Sequence, residues 1–309
     1  MIGAIRSVEA VSDILALVLD STINAQKQDT TVVGKFCNAY ELQDQLRAFL
    51  ELDPAHKPQN KSELVFALDR WIATVDETLN RQVNAIIHHS RFQKMEASWS
   101  GLQYLIDQVD EVSRVNVRVL NISWRELIKD FERAIDFDQS QIFRKIYNDE
   151  FGTSGGQPFG VLLGDYEVRH RVNDSYDLDD IVVLREMSQV AAASFAPFIV
   201  GASPELFGLD RFSELGSHLN FEAIFSQAEY VKWNSFREMS DSRFVGVSAP
   251  KVLMRLPYTP NNFRSDGFVF QEEVSTPEGS AYLWGNACYA YGAVLVRAFE
   301  DSGWFTDIC

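Results

Sequence analysis

The residues that could carry chemistry in this 309-residue chain begin with a G-x-S-x-G pattern at residues 152–156. In hydrolases this pattern exposes a nucleophilic serine on a sharp turn that follows a strand and precedes a helix. Here a helical pattern precedes Ser154 and a strand pattern follows it, so the required order is reversed. A helix-to-strand turn is therefore the favoured interpretation, with a catalytic Ser154 as the alternative.

A second candidate is the carboxylate pair of Asp165 and Glu167, which lie two residues apart at the end of an apolar strand pattern. Alternate residues of a strand share a face, and two carboxylates on one face can serve as general acid and base. A solvated strand terminus explains the pair equally well, because no nucleophile or set of metal ligands accompanies it.

Histidine and cysteine residues predict no metal centre. His88 and His89 are adjacent, and neighbouring side chains on a helix point about 100° apart, so they diverge. The three cysteines are scattered and form no C-x-x-C pair. We therefore expect no catalytic residue, metal or cofactor, and we favour an assembly subunit. The alternative is a soluble α/β hydrolase that uses Ser154 or the carboxylate pair.

The charge distribution restricts the class of partner. The formal net charge is -16, with acids spread along the chain and no cluster of Lys and Arg, so no nucleic-acid partner is expected. No run of about 18 apolar residues is present, so no membrane insertion is expected. The scattered cysteines and the absence of a signal-peptide pattern predict a cytoplasmic protein with reduced thiols.

The longest helical pattern opens at Ser62 and runs for roughly 26 residues, about 39 Å at 1.5 Å per residue. Its apolar positions recur at spacings of three and four: Leu64, Leu68, Trp71, Val75, Leu79, Val83 and Ile86. Such a stripe is buried in a stable helix, either against the rest of this chain or against a partner helix.

The joint, residues 88–102, follows this helix. Phe92, Met95, Trp99 and Leu102 again have helical spacing. We interpret the joint as a helix that packs the N-terminal arm onto a globular body, and we expect Phe92, Trp99 and Leu102 to be buried anchors.

Beyond the joint, strand patterns alternate with helical ones. Strands are predicted at 115–119, 159–165 and 197–201, and a final helix at 280–301. Ser123 and Glu126 have the spacing of a capping box, and Gly152 stands where a left-handed C-terminal residue is expected. The fold class is α/β, with α+β possible: a helical N-terminal arm precedes an α/β body with a mixed, largely parallel sheet. Three regions follow, 1–60, 61–102 and 103–309.

Motifs in a fixed order carry a family resemblance that runs from about His88 to Gly303. The most specific is His89-x-x-Phe-Gln-Lys-Met-Glu-Ala-x-Trp-x-Gly-Leu102, followed by Gly156-Gln-Pro-Phe-Gly-Val-Leu-Leu-Gly-Asp-Tyr166, Lys232-Trp-Asn-Ser-Phe-Arg237, Arg255-Leu-Pro-Tyr258 and Tyr282-Leu-Trp-Gly-Asn-Ala287. The chain resembles the large contractile-sheath subunit of type VI secretion systems, the TssC/VipB family. The signature positions expected in its core are Phe92, Glu96, Trp99, Leu102, Asp165 and Tyr166. Family members continue through a further C-terminal region, so we expect this chain to be a fragment.

The resemblance also implies partners. The family pairs with a small sheath subunit, TssB/VipA, self-associates into a tube around stacked Hcp rings, and is disassembled by the AAA+ ATPase ClpV. The long helix is the expected surface for the small subunit. A short N-terminal helix of the family is recognised by ClpV, and the candidate here carries Ile14, Leu15, Leu17, Val18 and Leu19. Packing of that helix on the small subunit or on the body is the alternative.

Overall fold

The computed structural model describes residues 32–52, 58–110, 115–172, 178–216, 219–260, 268–275, 279–306 and 308. The chain divides into two compact units, Met1–Glu77 and Thr78–Cys309. The predicted helix near residues 8–21, with its five apolar candidates, lies outside the described residues.

The N-terminal helices are α1 (Val32–Asn38), α2 (Leu42–Leu52) and the long α3 (Lys61–Ile87). The continuous helix predicted from Ser62 is confirmed, because α3 has 27 residues. Within the first unit, Phe49 of α2 is buried and packs edge-on against Trp71, with ring centroids 6.4 Å apart.

In the second unit, α4 (Ser90–Ile106) and α5 (Trp124–Arg133) precede the sheet. The predicted capping box is confirmed at α5, where the Ser123 hydroxyl accepts from Glu126 N and the Glu126 carboxylate accepts from Ser123 N. A short helix, α6 (Gln141–Phe143), continues as a π-helix over Arg144–Phe151. Its C-terminal residue Gly152 has φ -85°, so the predicted left-handed conformation is wrong at this position. The glycine with positive φ in this turn is Gly155, at 86°.

A parallel three-stranded sheet forms the centre of the second unit. Its order is β1 (Leu162–Val168), β2 (Phe198–Ala202) and β3 (Val245–Ser248), and a small antiparallel pair joins β4 (Val252–Leu253) to β5 (Trp284–Gly285). Every residue of β2 is buried. Strands buried on both faces lack polar alternation, which explains the apolar run predicted as a strand at 197–201.

The sheet is covered by helices α7 (Asp180–Ser194) and α10 (Ala287–Ser302), with α8 (Phe221–Phe225) and α9 (Val231–Arg237) in the connection between β2 and β3. The main core cluster contains Phe198, Val200 and Ala202 of β2 together with α7. Gly201 lies on the opposite face of β2, where an added Cβ would lie 2.5 Å from the side chain of Asn286, the residue that caps α10. Only a glycine permits this close approach.

The α/β fold class with a helical N-terminal region is confirmed, but two predicted elements differ. Residues 115–119 are not part of any strand in the described chain. Period-two alternation predicts an extended segment, but a strand also requires a neighbouring strand with which it can form hydrogen bonds. The final helix begins at Ala287 rather than near Ser280, since Asn286 caps it and accepts a hydrogen bond from Cys288 N at 3.0 Å.

Candidate assembly surface

The structure does not activate Ser154 as a nucleophile. Ser154 lies on an exposed turn between the π-helix and β1, which is the helix-to-strand order expected for a connection. The turn is closed by Gly156 N, which donates to Thr153 O at 3.0 Å. No base is hydrogen-bonded to the Ser154 hydroxyl among the described side chains, so the turn has the geometry of a connection rather than of a hydrolase elbow.

The carboxylates of Asp165 and Glu167 have separate partners. The register between β1 and β2 shifts between Gly164 and Glu167, so Asp165 lies in an irregular part of the strand. Asp165 accepts a hydrogen bond from the Ser98 hydroxyl. Glu167 forms an ion pair with Lys251 Nζ at 2.7 Å. Each carboxylate is therefore compensated where it lies, and the two do not form an acid and base pair.

Burial and negative charge act on two phenols near Asp165. Burial, followed by the charges of Asp165 and Glu126, raises the pKa of Tyr166 to about 12. The Tyr166 hydroxyl donates to Ile122 O at 2.7 Å, which fixes the end of the segment before α5. Burial, with Asp165 as the next cause, also raises the pKa of Tyr289. Both phenols are protonated near neutral pH and act as donors that hold elements together.

The two histidines have structural contacts in the described chain. His88 Nε2 lies 3.3 Å from Glu272 Oε1, whereas His89 is the N-cap of α4 and its Nδ1 accepts from Arg91 N at 3.3 Å. No group of three or more potential metal ligands lies together among the described residues. No helix of the described chain has both the length and the apolarity needed to cross a membrane.

The joint helix α4 buries a different face from the one that the sequence predicted. Ala97, Gly101 and Leu105 are buried, at i, i+4 and i+8, and a Cβ at Gly101 would lie 2.4 Å from the Tyr289 ring. Small residues therefore allow α10 to approach α4 closely. The expectation of a buried Trp99 is wrong, because its side chain is 68% exposed.

The other apolar positions of the joint are more exposed than Ala97 and less exposed than Trp99. Phe92 and Leu102 are half-buried, and Met95 is exposed. The apolar stripe recognised in the sequence thus runs along the edge of the buried face, and its two largest exposed members, Met95 and Trp99, form an outward apolar surface. Glu96 lies beside them and forms an ion pair with Arg255 Nε at 2.5 Å.

The apolar stripe of α3 is only partly covered. Val75 is 50% exposed and Leu79 is 38% exposed, whereas Leu64, Leu68, Trp71 and Val83 are half-buried. Only Asn84 and Ile87 are buried among the described residues of this helix. Exposed apolar surface of this extent is typical of a site that another protein covers.

Sequence reasoning missed the residues that hold the C-terminal end of α3, which belongs to the second unit, against residues 269–273 of the same unit. Asn80 and Asn84 each pair with the backbone of residues 269–273: Asn84 Nδ2 donates to Gln271 O at 3.0 Å and Asn84 Oδ1 accepts from Glu273 N at 2.9 Å. Asparagine is a poor helix former, and two of them spaced i, i+4 within a long helix were the available signal.

Apolar side chains exposed on α3 and α4 are typical of a subunit that assembles with other proteins. Residues 69–309 match the sequence model of the VipB family, described as EvpB/VC_A0108, tail sheath N-terminal domain. The chain belongs to this family of tail sheath proteins, and the TssC/VipB resemblance found in the sequence is confirmed.

A curated relative supports the same assignment. The chain is 37% identical over 249 residues to the type VI secretion system sheath protein TssC1 of Pseudomonas aeruginosa, an alignment that covers 80% of this chain and 49% of the relative. The chain therefore spans about half the length of the curated relative that it matches.

Proposed function

We propose that this chain is a structural subunit of the contractile sheath of a cytoplasmic type VI secretion machine and has no catalytic activity. It pairs with the small sheath subunit, TssB/VipA, and the pairs stack into a tube around the Hcp shaft. Contraction of the tube drives effector delivery, and ClpV disassembles the contracted state. Within this role, residues 1–60 and 61–102 form the partner-facing arm, and residues 103–309 form the sheath body.

The observation that carries the proposal is the exposed apolar stripe of α3 on a member of a tail sheath family. Burial of one large apolar side chain contributes about 1.5–3 kcal/mol, so several of them together can hold a partner helix. Heterologous contacts that do not close generate helical filaments, which is the geometry that a sheath requires. Contraction is then a switch between two packings of the same subunits.

Co-expression with the small sheath subunit tests the pairing. Leu79→Asp places a charge in the proposed interface and should abolish co-purification. Gln82→Asp, at another exposed position on the same helix, is the matched control and should retain it. Equal co-purification of both variants with the small subunit would remove α3 from the interface.

Tube formation tests the sheath itself. A chimaera that adds the remaining half of the Pseudomonas relative should form tubes with the small subunit in electron micrographs. A soluble, stable pair that never forms tubes argues against the proposal. Ser154→Ala should leave both assemblies intact, whereas an esterase activity lost in this variant would favour the hydrolase alternative.

Recognition by ClpV is tested separately. A peptide of residues 8–23 is titrated against the N-terminal domain of the ATPase. Leu15→Asp and Val18→Asp should each weaken binding, because an amphipathic helix in a groove depends on its apolar face. Unchanged binding in both variants would exclude this face as the recognition element.

A further inference from the structure

Phe195 has a backbone conformation that usually requires glycine. It ends α7 with φ 52° and ψ 28°, which is the left-handed region. In the part of the chain that the structure describes, it is the only residue other than glycine with a positive φ. The turn is closed by Ala196 N, which donates to Ala191 O at 3.1 Å. Glycine is the usual residue in this type of helix terminus, because a side chain there is strained.

The side chain of Phe195 does not serve the core. It is 71% exposed, whereas its neighbours Ser194 and Ala196 are buried. A ring that remains in water contributes little burial energy to offset the strain of the backbone that carries it. We therefore looked for a role of this ring outside the isolated chain.

Phe195 is the outer end of a column of aromatic rings that begins in the core. Phe143 stacks on Tyr147 with ring centroids 4.9 Å apart, and Tyr147 stacks on Phe151 at 5.2 Å. The rings of Phe151 and Phe195 follow at 6.3 Å. Exposure rises from 7% at Phe143 to 40% at Phe151 and 71% at Phe195. The inner rings thus hold the two outer ones in place at the surface.

The surface around the two outer rings carries no charge. Leu162 N donates to Pro197 O at 2.8 Å, so the segments that precede β1 and β2 lie side by side. We call residues 151–160 and 195–197 the neutral edge, because none of them is Asp, Glu, Lys, Arg or His. Charged residues make up 23% of the chain, so a mostly exposed surface of this length without a charge is unusual.

We propose that the neutral edge is a contact surface for a second copy of this chain, with Phe195 and Phe151 as its apolar anchors. In an assembled sheath, the two rings pack against apolar surface of the neighbouring copy. This inference rests on the proposed sheath function, because it assigns one of the contacts between adjacent large subunits.

Charge favours a second copy as the occupant. Two copies with a formal net charge of -16 each repel one another, and the repulsion is weakest where neither side presents a carboxylate. The fully buried centre of a protein interface is also depleted of charged residues and enriched in aromatic ones. The neutral edge has both properties, and a copy of this chain is a partner that needs the first.

The size of the surface favours a repeated contact. An aromatic side chain buries about 150–250 Å², whereas a stable interface buries about 800 Å² on each partner. Two rings therefore supply only part of what a stable dimer needs. Weak heterologous contacts that are repeated along a filament act together, so the neutral edge suits the array of a tube.

Photo-crosslinking tests the occupant on the intact chain at high concentration. Phe195 is replaced by p-benzoylphenylalanine, and Ile135 is replaced in the same way as the control. Ile135 is 86% exposed, but it lies beside the charged residues Arg133 and Asp136. Irradiation should give several times more crosslinked dimer from position 195 than from position 135. Equal yields, or no dimer from position 195, would overturn the proposal.

The same crosslink in the chimaera that adds the remaining half of the relative tests whether one subunit covers its own neutral edge. Crosslinks from position 195 should join two chains in the assembled tube. Crosslinks that stay within one chain, or that reach only the small sheath subunit, would contradict a second copy as the occupant.

A matched pair of charge variants locates the contact. Phe195→Asp and Ile135→Asp each add one negative charge at an exposed position, and Asp tolerates the left-handed conformation. In sedimentation equilibrium of the concentrated chain, Phe195→Asp should weaken self-association about tenfold or more, because a buried aromatic anchor is lost. Ile135→Asp should change it by less than about twofold, since a single exposed charge is screened by salt. Equal effects of the two variants would refute the assignment.

Phe195→Gly separates a contact role from a structural one. Glycine relieves the left-handed strain, so the Tm of the chain should equal or exceed that of the parent, while self-association falls as in Phe195→Asp. A lower Tm with unchanged self-association would show that the ring serves only the fold. Since these measurements use this chain alone, a chimaera that forms no tubes while the crosslinked dimer persists would count against the sheath function and not against the contact.

Discussion

Arg255 Nε donates to Glu96 Oε1 at 2.5 Å and joins residues that are 159 positions apart. The same guanidinium donates from Nη1 to Glu272 Oε2 at 2.6 Å and lies 4.2 Å from the centre of the Tyr258 ring. The Glu272 side chain is 1% exposed, and His88 Nε2 lies 3.3 Å from its Oε1. One cation thus ties the joint helix to two segments of the body.

Loss of the Arg255 cation should strongly destabilise the second unit. Arg255→Met leaves the buried Glu272 carboxylate without its main partner, and removal of one member of a buried pair costs about 3–5 kcal/mol. Urea unfolding measures the loss. Arg144→Met is the control, since the exposed Arg144 lies 3.9 Å from Asp149, and it should change stability by less than about 0.5 kcal/mol. Similar unfolding curves for the two variants would show that the network is not structurally important.

A second prediction concerns pH. His170 is 3% exposed and stacks on Tyr230 with ring centroids 4.1 Å apart. Burial lowers the pKa of His170 below its usual value, although Glu229 opposes this effect. The unfolded chain therefore binds the proton more readily than the folded one. The stability contributed by neutral His170 is complete above the unfolded pKa of about 6.5 and is lost as pH falls toward the lower folded pKa.

His170→Phe keeps a stacked ring and removes the titration. The free energy of unfolding should then fall less than in the parent chain between about pH 7.5 and pH 5.5. Parallel pH profiles for the parent and His170→Phe would show that His170 does not titrate differently in the two states.

Local signals predicted local structure well. The capping box at Ser123 was predictable because both partners lie within one turn, and the long α3 because its apolar period is uninterrupted. The absence of a sheet strand at residues 116–119 of the described chain was not predictable, since strand pairing depends on a distant segment. Trp99 was misplaced because apolar spacing identifies a stripe on a helix, whereas the buried face of α4 is set by the small Gly101 that admits Tyr289.

The close approach of α4 and α10 gives a third prediction. Gly101→Ala places a methyl group 2.4 Å from the Tyr289 ring, and overpacking of this kind costs about 1–3 kcal/mol. Gly216→Ala is the control, because no atom lies within 4 Å of its added Cβ. Thermal unfolding should show a lower Tm for Gly101→Ala than for Gly216→Ala. A Tm at or above that of the parent chain would mean that Tyr289 moves aside freely.

The last prediction separates the exposed and the buried faces of the joint helix. Trp99→Ala should change the stability of the isolated chain by less than about 0.5 kcal/mol, because Trp99 is 68% exposed. Leu105→Ala, at a position 4% exposed, should cost about 2–5 kcal/mol. In sheath assembly, Trp99→Ala should reduce the yield of tubes more than a folded Leu105→Ala variant does. The reason is that a tryptophan that becomes buried at an interface can contribute more than about 2 kcal/mol. Urea unfolding and tube yield measure the two effects. A Trp99→Ala chain that unfolds at much lower urea yet assembles normally would place Trp99 in the core after all.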